Sequence, residues 1–398
     1  MRMAARLVGL GTETSFSVAE RAEQWRASGH EVFPFHLGDL DLPAPRNIVA
    51  ALERAIAEGR TGYCPPAGVP ELRAAIAQDV GAARGIPLGS EHVVVQSGGK
   101  PVITKFIQAV MDPGDEVLYP NPGFPIYESQ IEYFGGVARP YRYSPTPTGF
   151  AIDIDHLRAA VGSRTRAIIY NDLQNPMGAE STQEERMEIA AIARENDLWV
   201  LSDEAYFDTR FSGASHSIAS LPDMQDRTVI LFTFSKRFAM TGWRLGAAIA
   251  PEPLADVFTR LNTNDESCTT TFVQHAGVEA LTGDRSGPAR IIEVLQARRD
   301  AAIAALEEAP GISSHRPEVG FYLYPDVTGA MARKGFDDVD AFAEAALRAT
   351  GASFCTRNHF GRRWADEDRH HVRIAFSAVP ERSIAEGLGR LAEWVDAG

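Results

Sequence analysis

The middle of the chain alternates short apolar runs with longer amphipathic stretches. Four stretches have helical length or spacing: Pro101–Met111, Ile126–Phe134, Thr182–Asn196 and Pro253–Leu261. Six runs of four or five mostly apolar residues predict buried strands: Val93–Gln96, Glu116–Tyr119, Ala167–Asn171, Leu198–Ser202, Val229–Thr233 and Ala247–Ala250. Strands that alternate with helices predict an α/β domain, in which a mostly parallel sheet is covered by helices on both faces.

The pattern changes near Gly287. The later elements are a long helical stretch at Ala289–Leu306, a strand at Phe321–Tyr324, a helix near Val339–Ala349, a strand at Val372–Phe376 and a last helix. This order predicts a smaller α+β unit that the N-terminal segment completes. A chain of 398 residues is longer than one core usually supports. We therefore expect a large domain at 47–286 and a small domain formed by 1–46 with 287–398.

The composition excludes some classes of partner. The formal net charge is −14, and a field of this sign repels nucleic acid and anionic lipid. The cysteines Cys64, Cys268 and Cys355 have no metal-binding spacing, so we expect no metal centre and a reducing, cytoplasmic location. The apolar stretch Leu7–Leu10 is too short for a signal peptide or a membrane span. We expect neither nucleic acid nor a membrane as a partner.

Reactive side chains follow two of the predicted strands, at the edge where open α/β sheets bind ligands. Lys236 ends the segment Thr233-Phe-Ser-Lys236, and a desolvated lysine with a lowered pKa is nucleophilic toward an aldehyde. Asp203 and Tyr206 lie in Asp203-Glu-Ala-Tyr206, where a buried carboxylate needs a cation such as a protonated pyridine nitrogen. A lysine that reaches solvent and a helix N-cap are the ordinary alternatives.

Two turns at strand ends carry further polar groups. Asn175-Pro-Met-Gly178 presents an amide that can donate to a phenolate oxygen. In Ser97-Gly-Gly-Lys100, glycines let the backbone approach a phosphate at the start of a helix, and Arg244 can bind its oxygens. Each turn alone is common. All four groups nevertheless fit one cofactor, pyridoxal 5′-phosphate (PLP).

From about Phe35 to Phe376, the sequence resembles the fold-type I, aspartate-aminotransferase-like family of PLP enzymes. The most specific stretch is Ser235-Lys-Arg-Phe-Ala-Met-Thr-Gly-Trp-Arg-Leu-Gly246, which matches the family signature throughout. The resemblance implies a large domain with a mostly parallel seven-stranded sheet. It also implies that the chain transfers the amino group of an L-amino acid to a 2-oxo acid by a ping-pong mechanism.

The resemblance assigns roles toward the cofactor. Lys236 would carry PLP as a Schiff base and then move the α-proton of the substrate, while Asp203 would pair with the pyridine nitrogen. Asn175 and Tyr206 would bind the ring oxygen, and Phe124 would stack on the ring. The groups implied to hold the phosphate are the backbone of Gly99 and Lys100 and the side chains of Thr233, Ser235 and Arg244.

The resemblance also assigns residues to the substrate and to a second subunit. Arg373 matches the arginine that binds the α-carboxylate of the substrate, and Asn175 is also assigned to the substrate. Gly38 matches the N-terminal segment that closes over the substrate. Tyr63 matches a tyrosine that reaches the phosphate of the neighbouring subunit, so the resemblance implies a homodimer with shared active sites.

Some positions depart from the family pattern or vary within it. Met177 stands where the family usually has threonine. Thr356-Arg357 replaces a usual Pro-Gly, so we expect Arg357 and His359 to line the substrate side. Lys100 matches a lysine that contacts the distal carboxylate in one aspartate- and prephenate-processing branch. Together with Arg357, this lysine would suit an acidic substrate, so an acidic donor such as aspartate or glutamate is favoured.

Three other functions are compatible with parts of the pattern. A β-lyase, a cyclase or an oxidase on the same scaffold would also need Lys236 and Asp203, and ping-pong kinetics with 2-oxoglutarate would separate these from a transaminase. A regulator would need a DNA-binding module, and only about 35 residues precede the resemblance. The intact lysine and aspartate argue against an inactive binding protein.

Overall fold

The computed structural model describes residues 4, 6–7, 10 and 14–397. Its α-helices are α1 (Ser15–Ala27), α2 (Arg46–Ala57), α3 (Pro70–Arg84), α4 (Lys100–Val110), α5 (Ile126–Tyr133), α6 (Ile154–Ala160), α7 (Gln183–Glu195), α8 (Glu252–Asp265), α9 (Thr271–Thr282), α10 (Ser286–Glu307), α11 (Thr328–Lys334), α12 (Val339–Thr350) and α13 (Glu381–Asp396). Its strands are β1 (Phe33–Pro34), β2 (Val93–Gln96), β3 (Glu116–Pro120), β4 (Val137–Tyr141), β5 (Tyr143–Thr146), β6 (Gly149–Ile152), β7 (Thr165–Tyr170), β8 (Trp199–Asp203), β9 (Thr228–Thr233), β10 (Gly246–Ile249), β11 (Tyr322–Leu323), β12 (Ala352–Ser353), β13 (Cys355–Thr356) and β14 (Val372–Ala375).

The central sheet has seven strands in the order β2-β10-β9-β8-β7-β3-β4. Strands β9, β8, β7, β3 and β4 run parallel to one another, and β10 pairs antiparallel with both β2 and β9. The α/β class with a mostly parallel seven-stranded sheet is therefore confirmed. All six strands predicted from apolar runs belong to this sheet, within two residues at either end.

Successive residues of the central strands pack on opposite faces of the sheet. Ile168 of β7 packs in one core with helices α6 and α7, whereas Ile169 packs in another core with α4, α5 and α8. Burial on both faces explains why the strands are continuous apolar runs without alternation. The seventh strand, β4, was not predicted, because it lies at the edge and only Tyr141 among its five residues is buried.

A separate hydrophobic core joins the two ends of the chain. It contains Phe33 and Phe35 together with many residues between Ile291 and Val395. The backbone connects the same segments, since β1 pairs parallel with β12. The later strands form a three-stranded sheet in the order β11-β14-β13. The N-terminal segment thus packs with the C-terminal elements, whereas the domain boundaries stay a prediction.

No helix in the described part of the chain is long and apolar enough to cross a bilayer. The short apolar stretch Leu7–Leu10 lies partly outside the described residues, because residues 8 and 9 are not among them. The same holds for parts of the predicted small domain, namely residues 1–3, 5, 8–9, 11–13 and 398.

Candidate active site

A cavity of about 430 Å³ opens beyond the carboxyl ends of strands in the central sheet. Its wall combines side chains that follow β7, β8 and β9 with others from the N-terminal segment and β14. Of the residues implied to hold cofactor or substrate, only Tyr63 lies outside this wall. The topology therefore brings together groups that are far apart in sequence, as expected where ligands bind at strand ends.

Lys236 projects into the cavity just after β9. Its Nζ donates a 2.8 Å hydrogen bond to the main-chain oxygen of Gly38 and lies 5.0 Å from the ring centroid of Phe321. Burial lowers the pKa of Lys236 to about 8, and the positive charges of Arg373, Arg244 and Lys100 act in the same direction. A substantial fraction of this amine is therefore neutral near pH 8 and can attack an aldehyde.

Asp203, the last residue of β8, is a buried carboxylate with neutral partners. Its Oδ2 accepts a 2.6 Å hydrogen bond from the hydroxyl of Tyr127, and its Oδ1 accepts from the backbone of Ala205. Burial raises the pKa of Asp203 to about 6, although these hydrogen bonds act in the opposite direction. A ligand cation near this carboxylate would favour its ionised form.

Sequence reasoning did not find Tyr127. It lies in α5, three residues after Phe124, and its ring is fully buried and perpendicular to that of Phe124 at 5.8 Å. From the sequence, a tyrosine on the apolar face of a helix looks like a core residue, and the group that its hydroxyl contacts cannot be inferred. The one available signal was its proximity to Phe124, which also lines the cavity.

Arg373 on β14 is held in a fixed orientation at the opposite side of the site. It donates to Asn175 Oδ1 at 3.0 Å and to the main-chain oxygen of His36 at 2.8 Å. Its guanidinium carbon lies 4.5 Å from the ring centroid of Tyr322 and 4.8 Å from that of Phe360. Its Nε is buried without a hydrogen-bond partner among the described residues. A preoriented guanidinium of this kind suits a carboxylate ligand.

Two tyrosines meet beside Lys236. The hydroxyl groups of Tyr206 and Tyr322 are 2.9 Å apart, and burial raises the pKa of Tyr206 well above its ordinary value. The hydroxyl of Tyr206 therefore stays protonated and can donate. A larger residue in place of Gly38 would displace the Tyr322 ring, because a Cβ at this position would come within 2.5 Å of the Tyr322 hydroxyl oxygen. Tyr322, like Tyr127, was not predicted.

The Ser97-Gly-Gly-Lys100 turn forms a corner that suits an anion. Gly99 immediately precedes the first turn of α4, whose N–H groups have no partner within the helix. Gly98 has a φ of +98°, and a Cβ there would overlap the guanidinium of Arg244. Thr233 Oγ1 and Ser235 Oγ are 2.9 Å apart on the same wall. Helix N-terminus, hydroxyls and guanidinium together are the donors that proteins use for phosphate.

The donor set fits PLP at every part of that molecule. The corner at Gly99 matches the phosphate, the buried carboxylate of Asp203 matches a protonated ring nitrogen, and the amine of Lys236 matches the aldehyde. Asn175 and Tyr206 offer the amide and hydroxyl for the ring oxygen. These groups are suited to binding PLP on an α/β scaffold.

The expectation for Arg357 is wrong. Its side chain is 1% exposed and does not line the cavity. It bonds Glu367 at 2.8 Å, Asn121 Oδ1 at 3.0 Å and the main-chain oxygen of Gly361 at 2.9 Å. A buried guanidinium must satisfy its donors, and this one does so by tying together the segment around residues 357–367.

The other positions that depart from the family pattern differ in placement. His359 lines the cavity, and its Nδ1 lies 2.6 Å from Thr14 Oγ1 at the start of α1. Met177 is buried away from the cavity against Ala179 and Tyr324. Its difference from threonine therefore leaves the cavity wall unchanged. Tyr63 is 90% exposed.

The chain belongs to the aminotransferase class I and II family, whose model matches residues 30–391. It is 34% identical to a probable aspartate/prephenate aminotransferase of Aquifex aeolicus, over 98% of this chain and 97% of that protein. It is 32% identical to an aspartate aminotransferase of Bacillus subtilis, over 100% of this chain and 99% of that protein. Proteins of this family use PLP, and the chain is a PLP-dependent transaminase.

Solved structures give the same result for the fold. An alanine aminotransferase from Pyrococcus furiosus superposes with a TM-score of 0.92 at 28% identity, covering 100% of both chains. The aspartate aminotransferase of Thermus thermophilus with maleate superposes with a TM-score of 0.89 at 28% identity, covering 99% of this chain and 100% of that one.

Proposed function

We propose that this transaminase takes its amino group from an acidic L-amino acid, aspartate or glutamate, and gives it to a 2-oxo acid. The observation that carries the proposal is that Arg373 and Lys100, in addition to Arg244, which is assigned to the phosphate, line the cavity that contains Lys236. Both are close enough to Lys236 to lower its pKa. A substrate with two carboxylates can form an ion pair with each of these cations, whereas an amino acid with a neutral side chain can pair only with the one that binds its α-carboxylate.

Arg373 is placed to bind the α-carboxylate. Its contacts with Asn175 and the His36 main chain fix the plane of the guanidinium, so little side-chain entropy is lost when the ligand binds. A bidentate pair then orients the substrate, and its Cα–H bond can point toward the amine of Lys236. We assign substrate binding to Arg373 and Asn175, with Gly38 supplying the backbone that closes this side.

Lys100 is the candidate for the distal carboxylate. Its Nζ lies 5.5 Å from the ring centroid of Phe124, on the wall of the cavity. The similarity to proteins named aspartate aminotransferase supports this assignment. So does the similarity to a structure that holds maleate, which is itself a dicarboxylate.

The proton transfers belong to Lys236. Bound PLP supplies an aldehyde that takes up the amino group and a protonated ring that stabilises negative charge at the substrate α-carbon. Lys236, once free as a neutral amine, takes the proton from that carbon and later returns one. Asp203 keeps the ring nitrogen protonated, and Tyr127 keeps Asp203 in position. Asn175 and Tyr206 donate to the ring oxygen, and Phe124 packs on the ring.

We assign the cofactor phosphate to the corner at the start of α4. The backbone N–H groups of Gly99 and Lys100 and the side chains of Thr233, Ser235 and Arg244 supply its donors. Charge-assisted hydrogen bonds from Arg244 and the helix N-terminus account for tight retention of a dianion.

Tyr63 is assigned to the phosphate of a second subunit, so the proposed active unit is a homodimer with shared sites. Its side chain is 90% exposed, which is unusual for a tyrosine that binds nothing. We further propose that 47–286 form the large domain, and that 1–46 with 287–398 form the small one. The hydrophobic core shared by the chain ends supports this division.

The test is a transamination assay with matched donor pairs. Aspartate and asparagine have nearly the same size and differ in the distal charge, so the proposal expects a kcat/KM for aspartate at least about tenfold higher. With 2-oxoglutarate as acceptor, ping-pong kinetics are expected. The Lys100→Met variant should lose the preference for aspartate, while Lys334→Met should keep it. A wild-type enzyme that prefers asparagine or alanine would contradict the acidic assignment.

A further inference from the structure

A buried lysine lies behind the phosphate corner and outside the cavity wall. Lys105 on α4 is 2% exposed. Its Nζ lies 2.6 Å from Asn262 Oδ1, 3.1 Å from Gln96 Oε1 and 3.0 Å from Glu266 Oε1. The carboxylate of Asp265 is 3.6 Å away and largely exposed. An ammonium group removed from water needs such acceptors, and Lys105 directs its hydrogen bonds to this cluster.

Glu266 connects this ammonium group to the phosphate loop. While Oε1 faces Lys105, the other oxygen, Oε2, accepts a 2.5 Å hydrogen bond from Ser97 Oγ. Ser97 is the first residue of the Ser97-Gly-Gly-Lys100 turn. The next residue, Gly98, lies so close to the guanidinium of Arg244 that no Cβ would fit. One carboxylate therefore bridges Lys105 and the loop that is assigned to the phosphate.

The amide of Asn262 keeps the cluster in one arrangement. Its Nδ2 donates to the main-chain oxygens of Pro66 at 2.8 Å and Val95 at 3.0 Å. Its Oδ1 is thereby turned toward Lys105 and accepts from Gln96 Nε2 at 2.9 Å. The end of β2, the middle of α4 and the end of α8 are thus joined by one polar network around the ammonium group of Lys105.

We propose that Lys105 is a positioning residue for the cofactor phosphate, acting through Glu266 and Ser97. A carboxylate beside a phosphate-binding loop repels the bound dianion if its charge is not balanced. Lys105 balances that charge and leaves Glu266 free to hold Ser97, and with it the backbone that leads to Gly99. This inference rests on the assignment of the phosphate to that loop.

The proposal predicts that removing Lys105 weakens PLP binding, whereas removing the charge of Glu266 does not. Lys105→Met leaves the negative charge of Glu266 unbalanced, so the dissociation constant for PLP should rise by about tenfold or more. Glu266→Gln keeps an oxygen that accepts from Ser97 and removes the negative charge, so PLP should bind as tightly as in wild type, or more tightly. The double variant should recover most of the affinity lost in Lys105→Met. If the cluster only packs, both single variants should bind more weakly and the double variant most weakly of all.

The experiment is a titration of the apoenzyme, followed by absorbance, with PLP and in parallel with pyridoxal, which lacks the phosphate. The chain has only four lysines, Lys100, Lys105, Lys236 and Lys334, and Lys334→Met is the matched control. Lys105→Met should weaken PLP binding and leave pyridoxal binding within about twofold of wild type. Equal losses for both ligands, or no loss, would overturn the proposal.

Glu266→Gln decides the question even if Lys105→Met does not fold. A tenfold weaker affinity for PLP in Glu266→Gln would overturn the proposed charge balance, and an unchanged or tighter affinity supports it. Failure of the phosphate assignment is separately visible, because wild-type protein would then bind PLP no more tightly than pyridoxal, and failure of the acidic-donor proposal is visible only in the transamination assay.

Discussion

The hydroxyl of Tyr127 donates a 2.6 Å hydrogen bond to Oδ2 of Asp203, and both side chains are buried. This contact affects the ionisation of the carboxylate. Burial raises the pKa of Asp203 to about 6, and the hydrogen bond from Tyr127 lowers it against that effect. Tyr127 therefore helps to keep Asp203 ionised at neutral pH, which is the form that pairs with a protonated ring nitrogen.

Tyr127→Phe should shift the pH dependence of PLP binding. Without the hydroxyl, the pKa of Asp203 rises further, so the carboxylate is neutral over a wider acidic range. The affinity for PLP should then begin to fall at a higher pH than in wild type, and kcat should drop by roughly tenfold at pH 7. Absorbance titrations of the apoenzyme between pH 5 and 8.5 measure the shift.

Tyr133→Phe provides the control for that experiment, since Tyr133 lies on the same helix and does not line the cavity. It should leave the pH profile unchanged. If Tyr127→Phe gave the wild-type profile as well, the hydrogen bond would have no influence on the cofactor.

Lys236→Ala should abolish transamination, with a loss of at least about 10³-fold, because the variant has neither the covalent anchor nor the base. The circular dichroism spectrum should stay that of the wild type.

Reduction of the loaded wild-type enzyme with borohydride, followed by peptide mapping, should find the modification on Lys236 alone among the four lysines. Lys334→Ala is the control and should keep full activity. Turnover near the wild-type level in Lys236→Ala would refute the assignment.

The apoenzyme should capture PLP faster as the pH rises through about 8. The pKa of Lys236 is lowered to about 8 from an ordinary value of 10.5, and the neutral amine is the form that attacks the aldehyde. Below pH 8, the rate should fall about tenfold for each pH unit, and above pH 8 it should approach a plateau. Stopped-flow absorbance measures this rate. A rate that keeps rising with the same slope to pH 10 would mean that burial does not lower the pKa of this lysine.

The sequence was sufficient to predict the inner strands of the central sheet, because each of them is buried on both faces. Such strands are short continuous apolar runs. Val93–Gln96, which is fully buried although it lies at the other edge of the sheet, was also predicted to the residue. The edge strand β4 alternates exposed and half-buried residues, including Arg139 and Pro140, and nothing in this pattern separates it from a loop. Prediction therefore succeeded where burial was nearly complete and failed where most residues of the strand are exposed or half-buried.

The candidate site followed the same logic. Lys236 and Asp203 were found because a charged residue at the end of an apolar run is informative. Tyr127 and Tyr322 were missed because a buried tyrosine is ordinary in a core, and only the fold shows that each hydroxyl contacts a site residue. Arg357 was misplaced, because a sequence position beside the substrate segment does not reveal which way a side chain points.

The last prediction separates two arginines that sequence reasoning placed on the same side of the site. Arg373→Ala should raise KM for the amino acid by roughly 100-fold, because the α-carboxylate loses a bidentate partner, while the melting temperature should fall less than in Arg357→Ala, because Arg373 donates fewer hydrogen bonds. Arg357→Ala should do the reverse. It removes hydrogen bonds to Glu367, Asn121 and the Gly361 main chain, so the melting temperature should fall by several degrees while KM stays within about twofold of wild type.

Steady-state kinetics and thermal unfolding of both variants, each saturated with PLP, provide the comparison. Arg316→Ala is the control, since this arginine is half-exposed and forms a surface ion pair with Asp300; it should leave both quantities unchanged. The assignment of the carboxylate site to Arg373 fails if Arg357→Ala raises KM as strongly as Arg373→Ala does. An unchanged KM in Arg373→Ala would show that this residue does not bind the substrate. Solvent screens a buried guanidinium only weakly, so the loss of a contact with the ligand would be measurable.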